Sequence, residues 1–243
     1  MLPKGKIPPQ FTDGTELIHE NHPLIGMVFY FWDMQIVSTN IGGPTTFTWN
    51  GKEEETGIFK YPVSEPLYLT KSDVAKDTLI DRKHHGGINK ACYLFSKEQY
   101  PFWKALYPAL EWDYGMFGEN LTVSGLDESE VRIGDVFKIG TALVQVSQPR
   151  EPCYKLGVRF GDQKILKQFI EHGYPGTYVR ILEEGEVRKD DTIERIERSS
   201  NTLTVKQFFD LMYQKKKDAR LLKLFMGNDS VPLYKKERMQ KFL

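Results

Sequence analysis

The chain has 243 residues, and its 33 lysines and arginines equal its 33 aspartates and glutamates, so the formal net charge is zero. This balance argues against a general nucleic-acid binder, which needs a basic excess, and gives no electrostatic reason to bind an anionic membrane. Hydrophobic residues make up 40% of the chain and charged residues 27%, which is typical of a globular protein with a packed core.

Residues 1–33 differ from the rest of the chain: they are rich in proline and polar residues and end in the apolar run 24–32. This run is too short to cross a bilayer, and it ends at Asp33. Acidic residues and histidines precede it where a signal peptide has its basic region, and no small-residue cleavage site follows. We therefore expect a cytoplasmic protein in which 1–33 is an extension, either native or upstream of an internal start at Met34.

Residues 34–200 carry mostly β signals, which are short runs of branched and aromatic residues separated by glycine and proline. Asn50-Gly51 is a strong hairpin turn, Gly140-Thr141 separates two further runs, and 184–186 reads as a turn between the last two. The predicted strands cover 35–38, 47–49, 67–69, 91–95, 120–123, 136–139, 142–146, 178–182 and 192–196. Many short strands with few helices indicate an α+β, mainly β fold, built as a barrel or a folded-over mixed sheet.

Two helices are predicted within the β region, over about 97–107 with Ser96 as N-cap and over about 162–172, ending before Gly173. From about Leu203 the pattern turns helical, and three short helices are predicted over 201–243. We expect Pro232 to begin the third, which runs to Leu243. Three short helices bury little alone, so they dock on the barrel or form a small satellite unit.

The chain has two cysteines, too few for a disulfide framework or a four-cysteine zinc site. Cys92 lies in the apolar strand 91–95 and reads as a small core residue. Cys153 lies in a loop after a strand that ends at Val146, where two prolines stiffen the chain and Arg150 and Lys155 bracket the thiol. Nearby cations favour the thiolate, which binds soft metals or attacks electrophiles. A buried structural cysteine is the weaker interpretation, since it needs no such surroundings.

A second cluster spans residues 81–87. The amides of Gly86 and Gly87 can cradle an anion, and Arg82 and Lys83 add positive charge. The adjacent His84 and His85 do not easily place both rings on one metal, and no cysteine or carboxylate stands at ligand spacing. Taken alone, this cluster is better explained as a tight turn with a solvated basic flank.

Two further stretches carry weaker signals. In 115–121, Glu119 and Asn120 follow a glycine and offer a carboxylate and an amide that suit a polar ring system. The simpler interpretation is a strand-entry turn with Glu119 solvated. Residues 173–178 border a pocket or, more simply, form a turn before a strand.

In this order the clusters resemble the MOSC family, the domain type at the C-terminus of molybdenum-cofactor sulfurases. The resemblance covers about 34–197 and, through the helical tail, extends to the stand-alone bacterial, YiiM-like branch of that family. The matching stretches are 56–60, 84–87, 117–121 and 147–155, of which the last is long and specific. The resemblance implies a compact mixed β-barrel of the pyruvate-kinase-barrel type over 34–200, with a three-helix extension over 201–243.

The resemblance also implies that the protein binds the pterin form of the molybdenum cofactor, with Cys153 ligating molybdenum. Members of this branch reduce N-hydroxylated compounds such as hydroxylaminopurines and amidoximes, with electrons from a separate redox protein. By this analogy, His85 or Glu119 shuttles protons. The remaining assignments are contacts to the cofactor's phosphate and pterin, which we give to Arg82, Lys83, His84, Gly86, Gly87, Asn120, Arg150 and Lys155.

Two alternatives stay open. In the first, Cys153 holds sulfur as a persulfide and the protein is a sulfur or cofactor carrier. In the second, the protein is a non-catalytic binding module whose helical tail docks a partner. Bound molybdenum favours reduction, a labile sulfur mass favours transfer, and activity unchanged after Cys153→Ala favours the binding module.

Overall fold

The computed structural model of the protein describes residues 34–78, 80 and 86–243. The predicted N-terminal extension, 1–33, lies outside these residues, and the domain boundary predicted at 200/201 stays a prediction. The described strands are β1 Met34–Ile41, β2 Thr45–Trp49, β3 Lys52–Thr56, β4 Tyr61–Val63, β5 Leu67–Leu69, β6 Cys92–Ser96, β7 Leu121–Ser124, β8 Val136–Ile139, β9 Ala142–Pro149, β10 Thr177–Glu183, β11 Gly185–Val187 and β12 Thr192–Glu197. The described α-helices are α1 Tyr100–Leu106, α2 Tyr154–Phe160, α3 Ile165–His172, α4 Val205–Tyr213, α5 Ala219–Met226 and α6 Leu233–Met239.

Seven strands close into a mixed β-barrel in the order β12-β8-β9-β10-β6-β7-β1. The ring closes where β1 pairs with β12 and Met34 lies opposite Ile193. Strands β6 and β7 run parallel, with Leu94 opposite Leu121, and the other pairs of the ring are antiparallel. Strand β4 pairs with β1 outside the ring. The mixed, mainly β barrel predicted from the sequence is confirmed.

Short hairpins and ladders surround this barrel. Asn50 and Gly51 both have positive φ and join β2 to β3, as the hairpin signal predicts. The turn predicted at 184–186 is wrong in part, because Gly185 begins β11, which pairs with β5 opposite Leu69. The local sequence reads as a turn, but the unpaired backbone of β5 supplies a partner for it.

The helices begin and end differently from the prediction. The helix expected over 97–107 is a 3₁₀ turn followed by α1, and the Ser96 hydroxyl bonds the Glu98 carboxylate at 2.8 Å instead of capping the helix. Helix α3 begins at Ile165 and ends, as expected, at Gly173 in the left-handed region. Helix α2 was not predicted. No helix in the described part of the chain is long and apolar enough to span a bilayer.

The C-terminal helices pack their apolar faces on the barrel. Phe208 of α4 and Phe225 of α5 are fully buried in the same cluster as the barrel residues Ile139 and Val144. Helix α6 follows Pro232 and ends at Met239, and a 3₁₀ turn replaces the last part of the predicted third helix. Of the two arrangements considered for these helices, docking on the barrel is the one observed.

A second, aromatic cluster lies outside the barrel between β6 and helices α1, α2 and α3. Phe95 stacks on Phe117 with ring centroids 4.2 Å apart, and Trp103 and Phe169 stack beside them at 5.9 Å. These rings are fully buried. Because aromatic cores are densely packed, this cluster holds the loops that follow β6 and β9 in fixed positions.

Candidate functional site

The loop that carries Cys153 joins β9 to α2. Strand β9 continues to Pro149, three residues beyond the predicted end at Val146, because its pairing with β10 extends to that residue. Cys153 is the residue before α2, in an extended conformation, and it is partly exposed. The loop therefore projects from the end of a barrel strand, as predicted.

Cys153 lines an open cavity whose empty space, counted out to bulk solvent, is about 740 Å³. The walls come from segments far apart in the sequence. They include Thr56, Gly57, Ile58, Lys60, Asp77, Lys90, Phe117, Gly118, Asn120, Arg150, Lys155 and Tyr178. A second cleft, lined by Gln148, Glu151 and Pro152 among others, meets the cavity at Lys90, Cys153 and Tyr178. The thiol thus lies where two openings converge.

Arg150 is the most distinctive charged group in the cavity wall. The residue is only 5% exposed, and its Nη1 atom has no hydrogen-bond partner among the residues that the structure describes. Its guanidinium lies over the rings of Tyr93 and Phe169, 5.4 and 5.5 Å from their centroids. Burying a donor without a partner is costly. A buried, cavity-lining cation with a free N–H is suited to bind an anionic or carbonyl-rich ligand.

Asp77 organises the opposite wall. Its carboxylate accepts hydrogen bonds from the Gly42 amide at 3.0 Å and from Asn120 Nδ2 at 2.8 Å, and it forms a largely buried ion pair with Lys60. Asn120 Oδ1 in turn accepts from the Tyr93 amide at 3.3 Å. Asn120 therefore lines the cavity with both ends of its side-chain amide already bonded within the protein.

Glu119 lies behind the cavity wall and is fully buried. Its carboxylate accepts hydrogen bonds from the Gly115 and Phe117 amides at 2.9 and 3.0 Å, from the Thr122 hydroxyl at 2.9 Å, and from the Tyr100 hydroxyl. Burial raises the pKa of Glu119, and these donors partly offset that effect. The residue closes the 115–119 loop on itself, in contrast to the solvated carboxylate considered from the sequence.

Gly118 allows this loop to approach the 56–60 segment. Its φ is +75°, and a Cβ placed there would lie 2.9 Å from Ile58 Cγ1. Any other residue would meet both a conformational and a steric penalty at this position. The glycine is thus required by the close packing of two cavity walls.

Lys155 and Tyr154 tie the start of α2 to the β2–β3 hairpin. Lys155 Nζ donates to the Glu55 carbonyl at 3.3 Å, and the Tyr154 hydroxyl bonds Glu54 at 2.5 Å. The Tyr154 ring packs on Trp49 with centroids 5.0 Å apart. The hairpin therefore covers one side of the Cys153 loop.

Comparison with known proteins agrees with this architecture. The MOSC domain pattern matches residues 81–194. The uncharacterized protein YflK of Bacillus subtilis is 41% identical over 170 residues, which are 70% of this chain and 76% of YflK. The crystal structure of YiiM from Geobacillus stearothermophilus is 32% identical and superposes with a TM-score of 0.73 over 86% of this chain and 99% of that one.

The chain belongs to the MOSC family. Within the family it is a YiiM-like protein. A protein of Gibberella moniliformis named "Reductase" is 35% identical over 151 residues, which cover 61% of this chain but 27% of that longer protein.

A MOSC protein is expected to hold the molybdenum cofactor, and the donor set of the cavity fits such a group. Among the described residues, no group of three His, Cys, Asp or Glu side chains could hold a metal ion, so a metal here would take few ligands from them. A cofactor that supplies its own sulfur ligands needs only one soft protein ligand, and the Cys153 thiol is of the right type to serve as that ligand. The unpartnered Nη1 of Arg150 offers a donor to a phosphate or pterin edge.

The structure brings some predicted site residues together and leaves others apart. Cys153, Arg150, Lys155 and Asn120 line one cavity, whereas Glu119 lies behind its wall. Gly86 and Gly87 do not line the cavity, but they lead into the 3₁₀ turn 88–90, whose Lys90 does. The other predicted residues, Arg82, Lys83, His84 and His85, lie outside the described residues.

Sequence reasoning gave no role to four residues of the MOSC cavity: Lys60, Asp77, Lys90 and Tyr178. Lys60 and Tyr178 belong to stretches that were singled out, so the signal was available, whereas Asp77 and Lys90 stand in unremarkable contexts. Burial raises the pKa of the Tyr178 hydroxyl, which therefore stays protonated at neutral pH. Lys90 Nζ lies over its ring, 5.9 Å from the centroid.

The second cysteine is more deeply buried than Cys153. Cys92 is 1% exposed within the barrel core, and burial raises the pKa of its thiol. Neither cysteine forms a disulfide. The prediction that Cys92 is a small core residue is confirmed.

Proposed function

We propose that this protein binds the pterin form of the molybdenum cofactor in the Cys153 cavity and there reduces N-hydroxylated compounds of the hydroxylaminopurine or amidoxime type. The observation that carries the proposal is that Cys153 lines the same open cavity as the buried Arg150, whose Nη1 has no hydrogen-bond partner among the described residues. Membership of the MOSC family and the relative named as a reductase support a redox role.

When bound, the cofactor supplies the two electrons that cleave an N–O bond, with two protons yielding an N–H group and water. Cys153 would hold the metal through its thiolate, and Arg150 would supply a charged hydrogen-bond donor to the cofactor's phosphate or pterin edge. Lys155 and Lys90 add positive charge along the same wall. Lys90 and Tyr178 border both cavities beside Cys153, and we assign to them the delivery of a proton to the departing hydroxyl.

A separate electron-donor protein is part of the proposal. This chain has two cysteines, and one of them is buried in the core, so the residues present offer no four-cysteine iron–sulfur site. The donor and the cytoplasmic location stay predictions, and the substrate class follows from the family resemblance.

The test is the molybdenum content of the purified protein, made in a host that synthesises the cofactor. Cys153→Ala should lose the near-stoichiometric molybdenum of the wild type, and Cys92→Ala, the matched control at the core thiol, should keep it. Reduction of a hydroxylaminopurine by the loaded wild type, and its loss in Cys153→Ala, would complete the test. Absence of molybdenum from folded wild type would contradict the proposal. A labile sulfur mass on Cys153 in that sample would favour the sulfur carrier.

A further inference from the structure

Helix α6 contacts the loop before Cys153 at several points. The Tyr234 hydroxyl donates to Gln148 Oε1 at 2.6 Å. Lys235 Nζ forms an ion pair with one oxygen of Glu151, and Arg238 Nη1 bonds the other oxygen at 3.0 Å. Helix α6 thus contacts Gln148 and Glu151, which precede Cys153 by five and two residues.

Lys235 is unusual among these contacts because its side chain is only 3% exposed. Its Nζ also lies 3.7 Å from Met212 Sδ and 5.6 Å from the centroid of the Tyr234 ring. Burial lowers the pKa of Lys235 to about 7, and the like charges of Arg238 and Lys90 act in the same direction. A buried ammonium needs a compensating anion, and Glu151 is its carboxylate partner among the described residues.

We propose that Lys235 is a positioning residue for Cys153. From α6 it fixes the Glu151 carboxylate, and the rigid Pro152 passes that constraint to the thiol where the two openings meet. This inference deepens the proposed function by giving the C-terminal helices a part in it: they set where the metal-binding thiolate stands in the cavity.

The geometry distinguishes positioning from simple core packing. Glu151 is held at both oxygens by two cations of one helix, so the loop cannot shift along that helix without breaking a bond. Only Pro152, whose φ is restricted, separates Glu151 from Cys153. The thiol can therefore move little relative to the Glu151 carboxylate. Lys236, the next residue on α6, instead approaches the fully exposed side chain of Asp229 at 3.9 Å, and among the described residues it forms no hydrogen bond or ion pair with the loop before Cys153.

The experiment measures the rate at which iodoacetamide alkylates Cys153 in the full-length protein without cofactor, with peptide mass spectrometry to separate Cys153 from buried Cys92. Lys235→Met should raise this rate about tenfold, equivalent to about 1.4 kcal/mol of easier loop opening. Lys235→Arg should stay near the wild-type rate because it restores the cation. Lys236→Met is the matched control and should have no effect.

Two further variants keep the test decisive. Glu151→Gln weakens the same contact from the loop side and should also accelerate alkylation, even if Lys235→Met fails to fold. Met239→Ala loosens α6 at a buried residue away from the loop. An unchanged rate in folded Lys235→Met and Glu151→Gln, or an equal acceleration in Met239→Ala, would overturn the proposal.

The alkylation assay needs no molybdenum, so its result is independent of whether the proposed function holds. In protein that has taken up the cofactor, Lys235→Met should lower kcat while KM for the N-hydroxylated substrate changes by less than about twofold. A rise in KM with kcat unchanged would place Lys235 in substrate binding and contradict a positioning role.

Discussion

Glu128 is a buried carboxylate that forms no ion pair with the described residues, and replacing it should stabilise the protein in a pH-dependent way. The residue is fully buried between β7 and β8. Its Oε1 accepts from the Gly176 amide at 3.0 Å, but its Oε2 has no hydrogen-bond partner in the described part of the chain. Burial raises the pKa of Glu128 from its usual 4.5 to about 7. The Glu128→Gln variant keeps an acceptor for Gly176 and removes the charge.

The magnitude follows from the two pKa values. Because one pKa unit corresponds to about 1.4 kcal/mol, raising the pKa of Glu128 from 4.5 to about 7 makes its ionised form cost about 3 kcal/mol in the folded state. Below pH 4.5 the carboxyl is protonated in both states and contributes no difference. Between pH 4.5 and 7 the unfolded state releases the proton first, so the free energy of unfolding falls as pH rises. Above pH 7 the loss in the free energy of unfolding no longer changes with pH.

The assay is urea unfolding of wild type and Glu128→Gln at pH 5 and pH 8 at equal ionic strength. The unfolding free energy of the variant, relative to that of the wild type, should be about 2–3 kcal/mol higher at pH 8 than at pH 5. In a domain of this size the gain corresponds to a melting temperature about 5–10 °C higher at pH 8. Glu130→Gln is the control, since its side chain is 74% exposed in the same turn, and it should show no such pH dependence.

Two results would refute the reasoning. If Glu128→Gln is less stable than wild type at pH 8, the carboxylate has a compensating partner that its surroundings do not reveal. If the free energy of unfolding rises by the same amount at pH 5 and pH 8, the effect comes from packing and not from the charge.

Two other substitutions test the cavity walls. Arg150→Met should lower molybdenum retention at least about tenfold, because it removes a charge-assisted donor. It should leave the melting temperature of the cofactor-free protein unchanged or higher, because Arg150 has no carboxylate partner among the described residues; a fall of the melting temperature would show a structural role instead. Glu119→Gln should lower the melting temperature by about 5–10 °C in calorimetry, because an amide nitrogen would face one of four donors. An unchanged melting temperature would contradict the importance of that carboxylate for the loop.

Several parts of the MOSC barrel fix the shape of the cavity. Rigid strands end at its rim, the aromatic cluster packs against the loops behind it, and the Cys153 thiol is carried by a loop that contains Pro152 and follows Pro149. Arg150 lies on the buried side of that loop and Glu151 on the α6 side. Neighbouring residues of one short segment thus line the cavity and contact helix α6, respectively.

Local signals in the sequence were sufficient for much of the fold. Runs of branched and aromatic residues predicted strands such as β8. Residue types that tolerate positive φ predicted the Asn50-Gly51 hairpin and the end of α3 before Gly173. The prolines and cations around Cys153 singled out the one loop that carries the cavity's thiol. These features succeed because their causes lie within a few residues of one another.

The tertiary structure decided what depends on residues far apart in the chain. Closure of the barrel by β1 and β12, and the pairing of Gly185 with Leu69, arise from backbone groups that find partners only after the chain has folded. The Asp77 network with Lys60 and Asn120, and the pairing of Lys235 with Glu151, have the same origin. The sequence by itself determined which residue types are available and where the chain turns. The fold decided which charges are buried together, because burial and partner choice are properties of the packed molecule and not of any one segment.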